Sequence, residues 1–176
     1  TRHVCPFGKT VLHVSRDDGR TWSAPKVIND SPLDDRDAGV ICLGGRKMLV
    51  SWFTSDTRRY FEALKKNLSP DEVREYEDIF RGWTDEVMSQ WLGSWVILSD
   101  DGEQWSAPIR VPVNTPHGPI RLRSADLLYL GKKGFEYRTT REGDLAACRS
   151  ADRGQTWTTL GTVPLCEGTR SNNYHE

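Results

Sequence analysis

The chain has 176 residues, 36% of them hydrophobic, and a formal net charge of −1 at pH 7. This length suffices for one domain with a substantial core, and the near-neutral charge gives no electrostatic reason to expect nucleic acid or an anionic membrane as a partner. No apolar run reaches the roughly 18 residues of a transmembrane helix, so no membrane span is expected. The N-terminus shows neither a signal-peptide pattern nor an initiator Met, so we expect the chain to be part of a longer protein.

Short runs rich in β-forming residues, separated by turn signals, predict strands along most of the chain. The first two runs flank a turn at residues 15–22. In chain order, the predicted strands cover residues 11–14, 22–28, 38–43, 48–54, 95–98, 106–113, 119–122, 127–130, 145–149 and 156–163. Strands of this length and spacing are typical of an all-β architecture.

Residues 55–92 interrupt the strands with a helical pattern. A short helix is predicted after Thr57, and Ser69-Pro70-Asp71-Glu72 then forms a capping box with Pro at the first helical position. Apolar side chains follow at helical spacing and continue past Gly82. The pattern predicts a helical hairpin inserted between two strands, either as a lid over a substrate or as a packing or oligomer contact.

A turn motif recurs along the chain, as S-R-D-D-G-R-T-W at residues 15–22 and as S-A-D-R-G-Q-T-W at residues 150–157. A weaker copy at residues 98–105 has Leu98 where the others carry Ser. The glycine supplies a positive φ, and an Asp side chain can accept from backbone N–H groups of its own turn. We therefore expect Asp17, Asp100 and Asp152 to cap turns rather than to act in catalysis.

The pattern S-x-D-x-G-x-T-W resembles the Asp-box, or BNR repeat, of sialidases (neuraminidases) and other β-propellers. This resemblance implies an all-β, sialidase-type β-propeller that has six blades when complete. Residues 1–176 would then form a partial propeller of about two complete blades plus parts of others, as a fragment of a bacterial sialidase-like protein. Open blade edges would favour self-association. In this family the box lies on the face opposite the active site.

Two polar loops would lie on the site face. In Asp34-Asp35-Arg36-Asp37, the resemblance places Asp37, and next Asp35, where sialidases have a substrate-binding Asp, and Arg36 can donate to a sugar in a fork. His117-Gly118-Pro119 resembles a motif of bacterial sialidase-like proteins, and its imidazole can donate a hydrogen bond or act as acid or base. The alternatives are salt bridges within the first loop and a loop-bracing hydrogen bond from His117.

Further candidates lie at the two ends of the chain. Arg2-His3 resembles the segment upstream of the first box, where sialidases carry an acid/base Asp. No carboxylate is present there, so His3 is the candidate to replace it, and Arg2 is a candidate for substrate binding. Glu176 fits the Glu that activates the family's nucleophilic Tyr. The family's arginine triad has no identifiable counterpart.

Together these residues imply a sialidase-like glycoside hydrolase that acts on a terminal sugar such as sialic acid, with a glycan as its partner. Its transition state would resemble an oxocarbenium ion. An extracellular or periplasmic location would suit such an enzyme. The alternatives are a propeller that binds glycan or protein without catalysis, or another glycosidase or polysaccharide lyase with His117 or His3 as base.

No cofactor or metal is expected. The cysteines lie far apart and form no C-x-x-C pair, which makes a zinc site improbable, and their spacing leaves disulfide formation open. They are Cys5, Cys42, Cys148 and Cys166.

Overall fold

The computed structural model describes residues 4–134 and 143–165. Their strands are β1 (Thr10–Leu12), β2 (Lys26–Asn29), β3 (Asp34–Gly44), β4 (Lys47–Ser55), β5 (Ser94–Ser99), β6 (Ile109–Val111), β7 (Ile120–Arg121), β8 (Leu127–Lys132), β9 (Leu145–Ser150) and β10 (Thr158–Thr162). The helices, α1 (Phe61–Lys65), α2 (Pro70–Arg81) and α3 (Asp85–Trp91), follow a 3-10 turn at Thr57–Tyr60. β-sheet is thus the main secondary structure of the described residues, which agrees with the predicted all-β class. Within them, no helix has the length and apolar character needed to cross a membrane.

The chain divides into two compact units. The first consists of the residues up to Arg36 together with Thr54–Leu92, and the second consists of Asp37–Phe53 and the residues from Gly93 onward. The boundary between them passes through β3 and through the end of β4.

Two four-stranded sheets provide the framework of the second unit, with strand orders β3-β4-β5-β6 and β10-β9-β8-β7. Each sheet is a meander in which strands that are consecutive in sequence are neighbours. The register places Trp52 opposite Trp95 in the first sheet and Tyr129 opposite Cys148 in the second. One buried cluster draws on both sheets: Leu49, Val96, Val111, Val113, Leu127, Tyr129, Ala146 and Cys148. In the described part of the chain neither sheet closes on itself.

The first unit contains the antiparallel pair β1–β2 and the helical insertion. Ser69 caps α2 as predicted, because its Oγ accepts from the Glu72 N–H at 3.3 Å and its own N–H donates to Glu72 Oε2 at 2.7 Å. The predicted hairpin is a run of three helices instead, since the chain turns at Gly82 and Thr84 caps a new helix. Thr84 begins the new helix α3, because its Oγ1 accepts a hydrogen bond from the Val87 N–H.

Aromatic side chains hold the insertion together. Phe61 stacks on Tyr76 with ring centroids 5.9 Å apart, and Phe80 meets Trp83 edge-on at 4.9 Å. The Trp83 indole also donates to the Pro32 carbonyl at 2.8 Å. The insertion is therefore part of the core of the first unit and is bonded to the segment that leads into β3.

The turn at residues 150–157 has the predicted capping geometry. Asp152 Oδ1 accepts from the Ser150 hydroxyl at 2.7 Å and from the Thr156 N–H at 2.9 Å, and its Oδ2 accepts from the Thr156 hydroxyl at 2.6 Å. The Trp157 indole donates to the Gly154 carbonyl. This turn lies against both sheets, because a Cβ added to Gly154 would meet Leu49 at 2.6 Å and Leu127 at 3.5 Å.

The turn at residues 15–22 repeats this arrangement in the first unit. Asp17 accepts from both the N–H and the hydroxyl of Thr21, and the Thr21 hydroxyl is the main reason that the pKa of Asp17 is lowered. The Trp22 indole donates to the Gly19 carbonyl at 3.0 Å. The capping roles predicted for Asp17 and Asp152 are therefore confirmed.

The middle turn corrects one assignment. Its cap is Asp101 and not Asp100: Asp101 Oδ1 accepts from the Ser99 hydroxyl at 3.2 Å and from the Gln104 N–H at 2.9 Å. Backbone N–H groups of Gln104 and Glu103 lower the pKa of Asp101. Asp100 points outward, with 82% of its side chain exposed, and pairs with Lys47 at 3.3 Å.

The reason for the misassignment is a turn that is one residue shorter. The longer turns place a left-handed residue before the glycine, Asp18 at φ 58° and Arg153 at φ 64°, whereas the middle turn passes directly from Asp101 to Gly102. Ser99, and not Leu98, therefore takes the position of the motif serine. Leu98 lies in β5, opposite Leu49.

Replacing Asp101 by Ala should lower the urea midpoint of unfolding, because the N–H groups of Glu103 and Gln104 lose their acceptor. Asp100→Ala is the matched control and should leave the midpoint nearly unchanged, since an exposed ion pair contributes little. Equal effects of the two substitutions would contradict the assignment. Urea denaturation followed by tryptophan fluorescence measures both.

Candidate functional site

The acidic segment predicted as a loop is the first part of strand β3. Asp34 and Asp35 are 3% and 7% exposed, and the Asp35 N–H donates to the Gly8 carbonyl at 3.3 Å. A Cβ on Gly8 would lie 2.2 Å from Asp34 Oδ1. Only glycine therefore allows the segment of Gly8 to lie this close to Asp34. The prediction of a loop at residues 34–37 is wrong here, because these residues begin strand β3 and Asp34 and Asp35 are buried beside Gly8.

Asp35 braces the residues that precede it. Its Oδ2 accepts from Asn29 Nδ2 at 2.7 Å and from the Ser31 N–H at 3.0 Å, and its Oδ1 accepts from the Ser31 hydroxyl at 2.5 Å. Burial raises the pKa of Asp35, and the bonds from Ser31 and Asn29 oppose this rise. Asp35 thus stabilises the segment between β2 and β3. Its predicted role in sugar binding stays a prediction.

Asp37 and His117 come together in the second unit. The His117 N–H donates to the Asp37 carbonyl at 3.2 Å. Both residues have left-handed backbone conformations, with φ 49° for Asp37 and φ 66° for His117. Such a conformation costs a non-glycine residue about 1–3 kcal/mol and is concentrated at functional sites. The half-buried Asp37 and the exposed His117 are therefore the predicted site residues that this unit brings to one place.

Two glycines allow the close approach at this site. A Cβ on Gly39 would lie 2.0 Å from the His117 carbonyl oxygen and 2.5 Å from its carbon. Gly118 has φ 83°, and a Cβ there would lie 2.0 Å from Ser51 Oγ. Since the first obstacle is backbone, a larger residue at position 39 must displace the loop of His117.

The loop of His117 is also held at its beginning. Asn114 and Lys132 exchange two backbone hydrogen bonds, at 2.8 and 3.0 Å, and the Ser94 hydroxyl donates to Asn114 Oδ1 at 3.1 Å. The Tyr129 hydroxyl donates to the Thr115 carbonyl at 3.4 Å. The predicted loop therefore has bonds from two neighbouring strands, which fix the position from which His117 projects.

Tyr129 and Ser51 lie beside this loop, and sequence reasoning did not single out either of them. Both are 1% exposed. Burial raises the pKa of Tyr129 to about 12, and the nearby Ser51 hydroxyl acts in the opposite direction. Within the described ranges Ser51 Oγ makes no hydrogen bond, so this influence comes from proximity alone. A phenol with this pKa stays protonated near neutral pH, and Tyr129 is therefore not an activated nucleophile.

The remaining candidates are distributed as follows. Arg36 is half-buried and belongs to the first unit with Asp35. Arg2, His3 and Glu176 lie outside the described residues, so their predicted roles stay predictions. In the described ranges Cys5, Cys42 and Cys148 are free thiols, and no three His, Cys, Asp or Glu side chains are arranged to hold a metal ion.

The sequence matches no family model and no curated protein. The functional assignment therefore depends on the motifs and on the geometry of the residues described above.

Substituting Ala for Gly39 should destabilise the protein by roughly 1–3 kcal/mol, because the added methyl group meets backbone atoms of His117. It should also shift the NMR signals of the His117 imidazole. Gly161→Ala is the control, since a Cβ at that strand glycine meets nothing within 4 Å. If the two variants unfold at the same urea concentration and leave the His117 signals in place, the close approach is refuted.

The raised pKa of Asp35 predicts a pH-dependent loss of stability. The folded state holds this proton more tightly than the unfolded chain, whose Asp titrates near pH ~3.9, so ionisation of Asp35 lowers stability as pH rises through the folded-state pKa. Asp35→Asn cannot ionise. The stability advantage of the wild type over this variant should be smaller at pH ~7 than at pH ~4. Asp100→Asn provides the control in urea titrations, and a pH-independent difference for Asp35→Asn would refute the assignment.

Proposed function

We propose that this chain is part of a sialidase-like glycoside hydrolase that acts on a terminal sugar such as sialic acid. The observation that carries the proposal is the meeting of Asp37 in strand β3 with His117 in a loop, both held in left-handed backbone conformations. A carboxylate can accept hydrogen bonds from sugar hydroxyls, and an exposed imidazole can donate one or transfer a proton near neutral pH. Their rigid placement suits a site that must orient a polar substrate.

The arrangement of the turns supports a sialidase-type β-propeller as the scaffold. In both four-stranded meanders the Asp-box turn joins the third strand to the fourth: residues 99–105 link β5 to β6, and residues 150–157 link β9 to β10. The turn at residues 15–22 links β1 to β2. Equivalent turns at equivalent places are what repeated blades of a propeller would have.

The proposed chemistry divides the work among several residues. Asp37 binds a substrate hydroxyl, and His117 donates to the substrate or exchanges a proton with it. Glu176 would activate a nucleophilic Tyr, with His3 as acid/base and Arg2 as a substrate ligand, as the resemblance implies. The anomeric carbon would be attacked through an oxocarbenium-like state.

A propeller that binds glycan without catalysis is the second candidate. It is favoured by the lack of a carboxylate in the segment upstream of the first box.

Hydrolysis of a fluorogenic α-sialoside distinguishes the two candidates. Turnover by the full-length protein should fall by roughly a hundredfold or more in His117→Ala, the range expected for loss of a proton-transfer group, and it should also fall in Asp37→Asn. Glu176→Ala should abolish it. The exposed His13 supplies the control His13→Ala, which should leave the rate unchanged. A full-length protein that binds sialyllactose but shows no turnover from pH ~4 to ~8 would refute the hydrolase and support the second candidate.

A further inference from the structure

A cleft lies in the second unit, at the other end of strand β3 from Asp37. It has a volume of about 530 Å³, within the range of small-molecule sites. Leu43 in the cleft wall lies six residues after Asp37 along strand β3, which corresponds to ~20 Å of extended chain. The cleft is therefore distinct from the place where His117 and Asp37 meet. Its polar wall contains Lys47, Asp101, Gln104, Trp105, Arg153 and Gln155.

The shortened middle turn changes the hydrogen bonding at this cleft. In the longer turns the indoles of Trp22 and Trp157 donate to a glycine carbonyl. Trp105 belongs to the cleft wall, and its indole N–H is buried and has no hydrogen-bond partner among the described residues. A buried donor without an acceptor is unfavourable, and native proteins rarely contain one without a reason.

Asp101, the capping residue of the same turn, also has a carboxylate oxygen that makes no hydrogen bond to the described residues. The longer turns fill the Oδ2 of their Asp with a threonine hydroxyl, at 2.7 Å for Asp17 and 2.6 Å for Asp152. The middle turn has Gln104 at that position, and among the described residues Asp101 Oδ2 accepts no hydrogen bond. One deletion and one replacement have therefore left a donor and an acceptor unused in a single turn.

Two further polar side chains line the cleft, Gln104 from the middle turn and Arg153 from the turn of residues 150–157. The Arg153 guanidinium and the Gln104 side-chain amide both line the cleft, and neither bonds to another side chain or carbonyl in the described part of the protein. Arg153 is one of the left-handed residues, with φ 64°, so its backbone is placed by the turn of residues 150–157. Donors and acceptors from two turns thus converge on one cleft.

The composition of the wall indicates the ligand class. Its charged side chains are two cations and two anions, so the wall is neutral overall, and Leu43, Leu98 and Trp105 supply an apolar surface. Sugar hydroxyls both donate and accept, which matches this mixture, while the C–H face of a sugar ring can pack on apolar and aromatic surface. A ligand charge of either sign would meet two wall side chains of the same sign, which favours a neutral ligand. We propose that this cleft binds a neutral oligosaccharide, at a place separate from Asp37 and His117.

The test follows the indole N–H signals of the box tryptophans by ¹⁵N-NMR. The probes are cellohexaose, xylohexaose, mannohexaose, maltohexaose and chitohexaose, each at about 10 mM, which detects millimolar affinity. At least one should move the Trp105 signal and leave those of Trp22 and Trp157 in place. The proposal is overturned if none of the probes moves Trp105, or if all three signals move together.

Two variants then test the groups that carry the proposal. Arg153→Asn keeps a residue that tolerates the left-handed conformation and should weaken binding about tenfold. Asp18→Asn is the control at the equivalent position of the first turn and should bind like the wild type. An Asn inserted after Asp101, combined with Gln104→Thr, restores the longer motif and should weaken binding by at least about tenfold without lowering Tm. Wild-type affinity in both Arg153→Asn and the restored turn would overturn the proposal.

Discussion

The fold depends on a carboxylate that bonds to its own turn. In each of the turns at residues 15–22, 99–105 and 150–157 one side chain accepts from backbone N–H groups that no strand ladder could satisfy, and it thereby fixes where one strand ends and the next begins. The turn of residues 150–157 then packs its glycine on Leu49 and Leu127, which belong to different sheets. The turn that Asp152 caps is therefore also part of the hydrophobic packing between the two sheets of the second unit.

Features encoded by neighbours in sequence were the predictable ones. The capping box of α2 and the caps Asp17 and Asp152 all use groups within four residues of each other, so a motif contains the whole interaction. The burial of Asp34 and Asp35 depends instead on Gly8, more than twenty residues away, and charged residues have low strand propensity. Asp100 was misassigned because the glycine and the tryptophan have the same spacing in all three turns, so an alignment on them hides the residue that is missing just before Gly102.

The candidate site shows the same limit. Family resemblance selected Asp37 and His117, and the glycine in His117-Gly118-Pro119 hinted at an unusual backbone. Neither the left-handed conformation of Asp37 nor the contact of Gly39 with the His117 backbone has a sequence signal, because each arises from strands far apart in the chain. Ser51 and Tyr129 alternate with apolar neighbours in ordinary strand patterns, and only their burial beside the loop distinguishes them.

The shortened turn also has an evolutionary meaning. A protein that builds the same turn three times has spare copies, and the loss of one internal bond in one copy leaves the other two to hold their strands. Repetition therefore gives such a chain mutational freedom that a unique turn lacks. The turn around Asp101 shows what this freedom permits: it keeps the cap that orders the backbone, while its indole N–H and its second carboxylate oxygen make no hydrogen bond within the described residues.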